Sequence, residues 1–219
     1  MFGVLLVILI SLWMAIYHGG FEWYHEKAFN FHPLFMVLGM VFFYAEAILV
    51  YRVFRNKKKI VLKLFHASLN VLAFIFGALG LKAVFDSHNL IDKPIPNLYS
   101  LHSWLGITTV VLFAVQWLFG LFGFLLPVSN LKFKKILMPI HLFFGIVIFV
   151  LATLTSLTGL TEKALWTLDK TYQLFVPEGV LINVMGLLLV IFCISIVFLV
   201  VNPNYKRVAK AEDGVNLIN

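Results

Sequence analysis

The sequence predicts an all-α membrane protein with six transmembrane helices. Of its 219 residues, 62% are hydrophobic and only 12% are charged, and its mean hydropathy is +0.98. Such values lie far outside the range of soluble globular domains. The sequence has no polar stretch long enough to fold separately, so we expect residues 1–219 to form one transmembrane domain.

Six apolar segments account for this hydrophobicity. Five of them reach the roughly 20 residues that an α-helix needs to cross about 30 Å of hydrocarbon. The segments cover residues 2–17, 31–50, 62–84, 99–126, 136–160 and 180–201. The first is short, but it lacks a basic leader and a small-residue cleavage site. We therefore interpret it as a retained signal anchor and not as a cleaved signal peptide.

The basic residues predict how these segments are oriented. Twelve of the 17 cations fall between segments 2 and 3, between segments 4 and 5, or after segment 6: Arg52, Arg55, Lys57, Lys58, Lys59, Lys63, Lys132, Lys134, Lys135, Lys206, Arg207 and Lys210. Basic loops remain in the cytosol, so both termini are expected there. The net charge of +7 is then a consequence of topology, and we predict no nucleic-acid partner.

The remaining loops are less basic and are predicted to lie on the outer side. Their acidic residues and histidines are His18, Glu22, His25, Glu26, Asp86, His88, Asp92, Glu162, Asp169 and Glu178. Cys193 is the only cysteine, which excludes disulfide scaffolds, cysteine-rich zinc sites, iron–sulfur clusters and covalently attached c-type haem.

Four of the seven histidines lie near the ends of separate segments. His32 and His102 begin segments 2 and 4 on the outer side, whereas His66 and His141 begin segments 3 and 5 on the cytosolic side. They form two layers, each with two imidazoles at one depth. With a helical rise of 1.5 Å per residue, the layers are separated by roughly 20 Å along the membrane normal.

Two imidazoles facing each other across a helical bundle suit the two axial positions of a haem iron. We therefore predict a central four-helix bundle of segments 2 to 5 that holds two haems. Gly106 and Gly145, each four residues after a candidate ligand, would leave room for the macrocycle. Pro33 and Pro139 near helix starts would fix the approach of the neighbouring histidines.

Two alternatives stay open for these histidines. They could form interhelical hydrogen bonds only, although ionisable groups within a membrane are costly and usually functional. They could also bind zinc, but two histidines fill only half of a tetrahedral site unless a carboxylate joins them.

A basic cluster lies beside the cytosolic layer. Lys59, Lys63 and His66 are spaced by four and three residues, so they share one face of segment 3. The residues that would complete a basic pocket for a small organic anion or for haem propionates are Arg52, Lys134 and Lys135. The alternative is that these cations only follow the positive-inside rule.

On the outer side, His88 precedes His102 by 14 residues and stands near Asp86 and Asp92. We interpret it as a candidate docking point for a ferric complex or another electron acceptor, with a solvated loop histidine as the alternative. Glu46, inside segment 2, receives no catalytic role, because ion pairing, proton coupling and snorkelling all stay open.

Several stretches resemble the cytochrome b561 family of transmembrane ascorbate-dependent oxidoreductases. They include the surroundings of all four histidines, in order: FNFHPLFM (29–36), AILVYRVFR (47–55), KLFHASLN (63–70), AVFDSH (83–88), NLYSLHSWLG (97–106), MPIHLFFG (138–145), GLTEK (159–163) and PEGVLINVMG (177–186). The resemblance implies a homodimer of six-helix subunits with two haem b groups per chain.

The resemblance also implies roles for individual residues. His32 and His102 would hold the non-cytoplasmic haem, and His66 and His141 the cytoplasmic one. Cytosolic ascorbate would bind to Arg52, Lys59, Lys63 and either Lys134 or Lys135, and the outer acceptor would lie near His88, Ser100 or Asn183. The acceptor is expected to be ferric iron, with monodehydroascorbate as the alternative.

Two further functions are alternatives to ascorbate-linked electron transfer. One is a quinol-linked dihaem subunit that anchors a partner protein, and the other is a metal or proton transporter that uses the histidine pairs. Asp213, Leu217 and Ile218 in the tail resemble an acidic dileucine sorting signal. They favour the late endosome or lysosome membrane over the plasma membrane or a secretory vesicle.

Overall fold

The computed structural model describes residues 1–208, except for the side chains of residues 25 and 26. The tail residues Asp213, Leu217 and Ile218 therefore lie outside the described part of the chain. Seven α-helices are found within it: α1 (Phe2–Tyr17), α2 (Phe31–Met36), α3 (Tyr44–Val53), α4 (Lys59–Asn89), α5 (Leu101–Gly120), α6 (Leu131–Leu168) and α7 (Pro177–Val201).

Two π-helical segments continue the α-helices without a break. Val37–Phe43 joins α2 to α3, and Leu121–Leu125 extends α5. Short 3-10 helices precede α2 at His25–Asn30, follow α6 at Asp169–Leu174 and follow α7 at Pro203–Tyr205. Among residues 1–208, five continuous helices are long and apolar enough to cross a membrane, namely Lys27–Val53, Lys59–Asn89, Leu101–Leu125, Leu131–Leu174 and Pro177–Val201. Helix α1 is apolar but has only 16 residues.

The helices extend beyond the apolar segments that the sequence marks. Helix α4 continues to Asn89, so Asp86 and His88 lie in its last turns and not in a loop. Helix α6 begins at Leu131 and ends at Leu168, and it therefore includes Lys132, Lys134, Lys135 and Glu162, which the hydropathy pattern placed in loops. Hydropathy marks only the part of a helix that meets hydrocarbon, whereas the backbone hydrogen bonds continue into the polar interface.

Side-chain caps define where α5 and α6 begin. The Ser100 hydroxyl accepts a hydrogen bond from the backbone N–H of Ser103 at 3.3 Å, and the Asn130 carboxamide accepts one from Phe133 at 2.9 Å. The cap at Asn130 places Pro139 in the interior of α6, which corrects the prediction that it lies near a helix start. Pro33 does lie in the first turn of α2.

The apolar core lies where α1, α3, α6 and α7 meet. Its largest fully buried side chains include Trp13, Phe149, Met185 and Leu189. Helix α4 packs closely against the chain from α2 to α3, since a Cβ atom at Gly39 would stand 2.8 Å from the Ala73 carbonyl oxygen. Helices α5 and α6 form a second antiparallel pair, and few contacts join α4 to α5. The histidines lie between these two helix pairs.

Candidate functional site

The structure brings the four helix-end histidines together in the predicted pairs. The imidazole centres of His32 on α2 and His102 on α5 are 6.0 Å apart. Those of His66 on α4 and His141 on α6 are 6.2 Å apart. We call these the outer pair and the inner pair. In each of them, one histidine comes from the α2–α4 side of the bundle and the other from the α5–α6 side.

These separations suit one metal atom between two imidazoles. A metal–imidazole bond is about 2 Å long, so two rings that share a metal have centres about 6 Å apart. Aromatic rings in edge contact cover this range too, with centres about 4.5–7 Å apart, so the spacing admits a shared metal without requiring one. Few contacts join α4 to α5 beside the pairs. The donor set and its spacing therefore fit bis-histidine haem ligation at both pairs.

Three of the imidazoles are oriented by backbone carbonyl groups on the neighbouring helix. The Nδ1–H group of His32 donates to Gly80 at 2.9 Å, that of His66 to Ala47 at 2.7 Å, and that of His102 to Thr155 at 2.9 Å. A proton on Nδ1 leaves the lone pair on Nε2, the nitrogen that can bind a metal. In His66 this atom also lies 3.3 Å from the Asn70 amide nitrogen, a contact that metal binding would replace. Such hydrogen bonds are typical of metal-binding histidines because they fix both tautomer and ring orientation.

His141 is held differently. Its Nδ1 atom is buried and has no hydrogen-bond partner among residues 1–208. Instead, the Gln116 side-chain amide donates to the His141 backbone carbonyl at 2.6 Å, and the Phe124 ring lies 5.2 Å from the imidazole. The His66 backbone carbonyl also accepts a hydrogen bond, from the Asn70 amide at 2.8 Å. Both inner histidines are therefore held through the backbone, but in the part of the chain that the structure describes only His66 has its ring anchored through Nδ1 as well.

Two glycines that the sequence analysis missed support the α5–α6 histidines. A Cβ atom at Gly159 would stand 2.7 Å from Cε1 of His102, and one at Gly120 would stand 3.1 Å from Cε1 of His141. Each glycine follows the histidine of its own helix by 18 residues, which is five helical turns. This His–Gly spacing was the signal available in the sequence. Of the two glycines predicted to leave room for a macrocycle, Gly106 lines the cavity at the outer pair, and Gly145 faces the Gln116 amide.

The predicted basic pocket is only partly assembled. The Lys63 ammonium donates to the Phe124 carbonyl at 2.9 Å, and Lys59 and Lys134 lie near enough to repel it electrostatically. Arg52 donates to the Val200 carbonyl, while its Nη1 atom is buried without a partner in the described chain. Lys135, by contrast, is exposed.

The outer pair opens into a cavity that also includes two of the predicted acceptor residues. His88 and Ser100 line it together with His32, His102 and Lys163. His88 Nδ1 lies 3.1 Å from the Asn97 amide oxygen, and the Ser100 hydroxyl donates to Glu162 at 3.2 Å. The third predicted residue, Asn183, is not part of this wall, and its amide oxygen accepts a hydrogen bond from Tyr172 at 2.6 Å.

A polar junction closes the outer end of α1 against α7. Trp13 donates to Glu178 at 2.8 Å, and Nε2 of His18 lies 3.0 Å from the same carboxylate oxygen. Burial is the main cause that lowers the pKa of His18, and the Lys163 charge acts in the same direction, whereas Glu178 raises it. Hydropathy places both His18 and Glu178 in outer loops, but Glu178 lies in the first turn of α7 and His18 follows directly on α1.

Among the residues that it describes, the structure provides neither a further zinc ligand at the histidine pairs nor an ion-pair partner for Glu46. Within residues 1–208, no three histidine, cysteine or acidic side chains come together in a group that could hold a metal ion. No carboxylate therefore completes a tetrahedral site at either pair. Glu46 is exposed on α3, and the ion pairs of the described chain do not include it.

Comparison with known proteins identifies the family. The sequence profile described as eukaryotic cytochrome b561 matches residues 31–167. The chain belongs to the cytochrome b561 family. Its relatives include the transmembrane ascorbate-dependent reductase CYB561 of Mus musculus, which is 44% identical over 211 residues, with 96% of this chain and 84% of the relative covered.

Two other cytochrome b561 relatives differ in their names. The putative transmembrane ascorbate-dependent reductase CYB561 homolog of Caenorhabditis elegans is 36% identical over 226 residues, covering 97% of this chain and 84% of its own. The lysosomal membrane ascorbate-dependent ferrireductase CYB561A3 of Bos taurus is 42% identical over 211 residues, covering 94% and 79%. Membership makes this chain a membrane oxidoreductase, and the family carries haem b.

Proposed function

We propose that this cytochrome b561 accepts electrons from ascorbate on the cytosolic side and delivers them across the membrane to ferric iron on the other side. The observation that carries the proposal is the pairing of four histidines at two depths, with ring centres 6.0 and 6.2 Å apart. Relatives named as ascorbate-dependent reductases support the choice of donor.

Two haem b groups per chain follow from this proposal. His32 and His102 would hold the outer haem, and His66 and His141 the inner one. When bound, haem supplies reversible one-electron chemistry at its iron. The surrounding helices supply rigid ligand positions and an apolar environment, and the Nδ1 hydrogen bonds fix the rings before haem binds.

The basic residues near the inner pair would bind the ascorbate anion. Lys63 leads this group, because Lys59 and Lys134 stand near it, and Arg52 has a buried Nη1 atom available for a ligand. Cations crowded at this position repel one another, and a bound anion relieves the repulsion. Lys135 is the weakest candidate because it is exposed to solvent.

The outer acceptor would bind in the cavity at the outer pair, with His88 and Ser100 in its wall. The bovine lysosomal relative, named a ferrireductase, favours ferric iron. Monodehydroascorbate is the alternative acceptor, since the murine relative is named only for its dependence on ascorbate. Asn183 would contribute to the acceptor site only if the Tyr172 hydroxyl released its amide oxygen.

The molecular setting belongs to the same proposal. We expect residues 1–219 to form one six-span domain, in which α1 crosses the membrane in addition to the five long helices. Both termini would lie in the cytosol, and two copies would form a homodimer. The lysosomal relative and the tail residues Asp213, Leu217 and Ile218 favour a late endosomal or lysosomal membrane.

The test is the visible spectrum of the purified full-length protein, with haem quantified per chain before and after ascorbate is added. We expect about two haems per chain, both reduced by ascorbate. His102→Ala should remove the outer haem and His66→Ala the inner one, so each variant retains about one. A protein without haem, or one whose haem ascorbate does not reduce, would contradict the proposal.

A further inference from the structure

The histidines of the α2–α4 side are anchored reciprocally. His32 donates to Gly80, which follows His66 by 14 residues on α4. His66 donates back to Ala47, which follows His32 by 15 residues. The additional residue is consistent with the π-helical segment Val37–Phe43, because a π-helical turn contains one residue more than an α-helical turn. Each antiparallel helix therefore provides both a histidine and the carbonyl that orients the other histidine.

The α5–α6 side has only half of this arrangement. His102 donates to Thr155, which follows His141 by 14 residues on α6. The equivalent position on α5, 14 residues after His102, is Gln116. Nδ1 of His141 makes no hydrogen bond to Gln116 or to any other residue in the described part of the chain.

The Gln116 side chain holds the His141 backbone, whereas the His141 ring makes no hydrogen bond through Nδ1 to any described residue. The Gln116 amide donates to the His141 carbonyl at 2.6 Å. One turn further along α6, the buried Tyr44 hydroxyl donates to the Gly145 carbonyl at 2.8 Å. A Cβ atom at Gly145 would lie 3.6 Å from the Gln116 amide nitrogen, an ordinary contact distance, so Gln116 packs directly against this turn. Donors from two other helices thus hold the turn that carries His141.

We propose that Gln116 is a positioning residue for the inner haem site, where it fixes the His141 turn in place of an Nδ1 anchor. This inference rests on the proposed function, since it assumes that His141 is a haem ligand. An amide in the membrane interior is costly to bury without a hydrogen bond, so the Gln116–His141 contact has a clear driving force. The amide acts through the backbone and does not touch the iron.

The test compares Gln116→Met with Val115→Met in the otherwise unchanged full-length chain. Methionine keeps the length of glutamine and removes its donor. Val115 is exposed, so Val115→Met introduces the same side chain one residue away from the contact. The measurement is the transfer of each haem to excess apomyoglobin, with His102→Ala and His66→Ala providing the reference spectra of the inner and outer haem alone.

We expect Gln116→Met to weaken inner-haem binding by about 10- to 100-fold, the usual effect of losing a group that orients a metal ligand. The outer haem and Val115→Met should match the unchanged protein. Gln116→Leu, which also removes the donor, should likewise weaken inner-haem binding and provides a second reading if Gln116→Met folds poorly.

The outcomes separate the two proposals. If Gln116→Met binds the inner haem as tightly as the unchanged chain, or loses both haems equally, the positioning role is wrong. If Val115→Met causes the same loss, the effect belongs to methionine and the role is also wrong. If the unchanged chain holds no haem, the proposed function fails, and the positioning role fails with it.

Discussion

His102 and His141 each rest against a glycine of the facing helix. Gly159 is in the tighter position, since a Cβ atom there would lie 2.7 Å from the His102 ring, which is itself held by its hydrogen bond to Thr155. Gly120 leaves somewhat more room at 3.1 Å from His141, whose ring lacks that anchor. The two glycines therefore set the imidazole positions by steric contact, but to different degrees.

We expect Gly159→Ala to displace the His102 ring and lower the affinity for the outer haem by about 10- to 100-fold, because overpacking of a fixed side chain costs about 1–3 kcal/mol. Gly120→Ala should affect the inner haem less, because the His141 ring can move. Haem content per chain and the spectrum of the remaining haem measure both effects. A Gly159→Ala protein with two tightly bound haems would contradict this prediction.

At this scale the sequence predicted which histidines pair, and it was less informative about the residues that hold them. The four histidines were predicted because each stands at the end of a separate apolar segment. Gln116 and Gly159 were not, because their roles depend on which turn of one helix faces which turn of another. That relation is set by packing between helices, and the hydropathy pattern does not record it.

At the scale of elements, the junction between α1 and α7 is the part whose stability should depend most on pH. Burial lowers the pKa of His18 below its ordinary value of 6.5, so the folded protein favours the neutral imidazole. The unfolded chain binds the proton more readily. The stabilisation is therefore present above about pH 6.5 and is lost as the pH falls below that value.

We expect the unfolding temperature of the purified protein in detergent to fall as the pH is lowered from 7 to about 5, and His18→Gln to reduce that fall. Glutamine keeps a hydrogen-bonding side chain near Glu178 but cannot take up the proton. Parallel pH curves for the two proteins would show that His18 does not contribute. Haem absorbance recorded in the same scan distinguishes unfolding from loss of cofactor.

The existence of the long helices was predictable, whereas their ends were not. The apolar segments identified five membrane-crossing helices, but α4 and α6 continue past the apolar limits because capping and hydrogen bonding, and not hydropathy, decide where a helix ends. Pro139 shows the consequence. With α6 starting at Leu131, the proline lies inside the helix, where it removes one backbone donor.

At the scale of the whole molecule, the basic residues gather at one end of the helices, around Arg55, Lys63, Lys134 and Arg207. This basic end distinguishes one face of the membrane from the other. Arg55 donates to the Asn204 carbonyl and Arg207 to the Lys57 carbonyl, so the segment after α7 is tied to the α3–α4 connection. Lys63 lies near Lys134 at the same end. This asymmetry suits a donor and an acceptor that never share a compartment.

We expect protein reconstituted into vesicles to reduce an external ferric chelate only when ascorbate is present at the basic end. In vesicles loaded with ascorbate, only the protein molecules whose basic end faces inward should therefore reduce the external ferric chelate. The measurement is the rate of ferrous iron formation outside, with orientation determined by protease access to the tail. Equal rates in both orientations would rule out sided electron transfer.

Matched lysine variants test the ascorbate site in the same vesicles. Lys63→Gln should raise the ascorbate concentration needed for half-maximal rate by about tenfold, because a charge-assisted contact contributes about 1.5 kcal/mol. Lys135→Gln should leave it unchanged, since Lys135 is exposed. Equal effects of the two substitutions would assign the binding to general surface charge.

The interval of five turns between histidine and glycine makes the length of α5 and α6 a shared constraint on both layers. Each helix carries a ligand at one end and the support for the opposite ligand at the other end. Inserting or deleting one residue between them would rotate one end by about 100° relative to the other and shift it by about 1.5 Å. A change of length by one residue within either helix would then move a histidine at one end out of alignment with the glycine that supports it. The contacts made by the other helix would be unchanged. The separation of the two histidine pairs is therefore tied to the number of residues in α5 and α6, and only a change of length close to a whole number of turns would keep both ends on their faces.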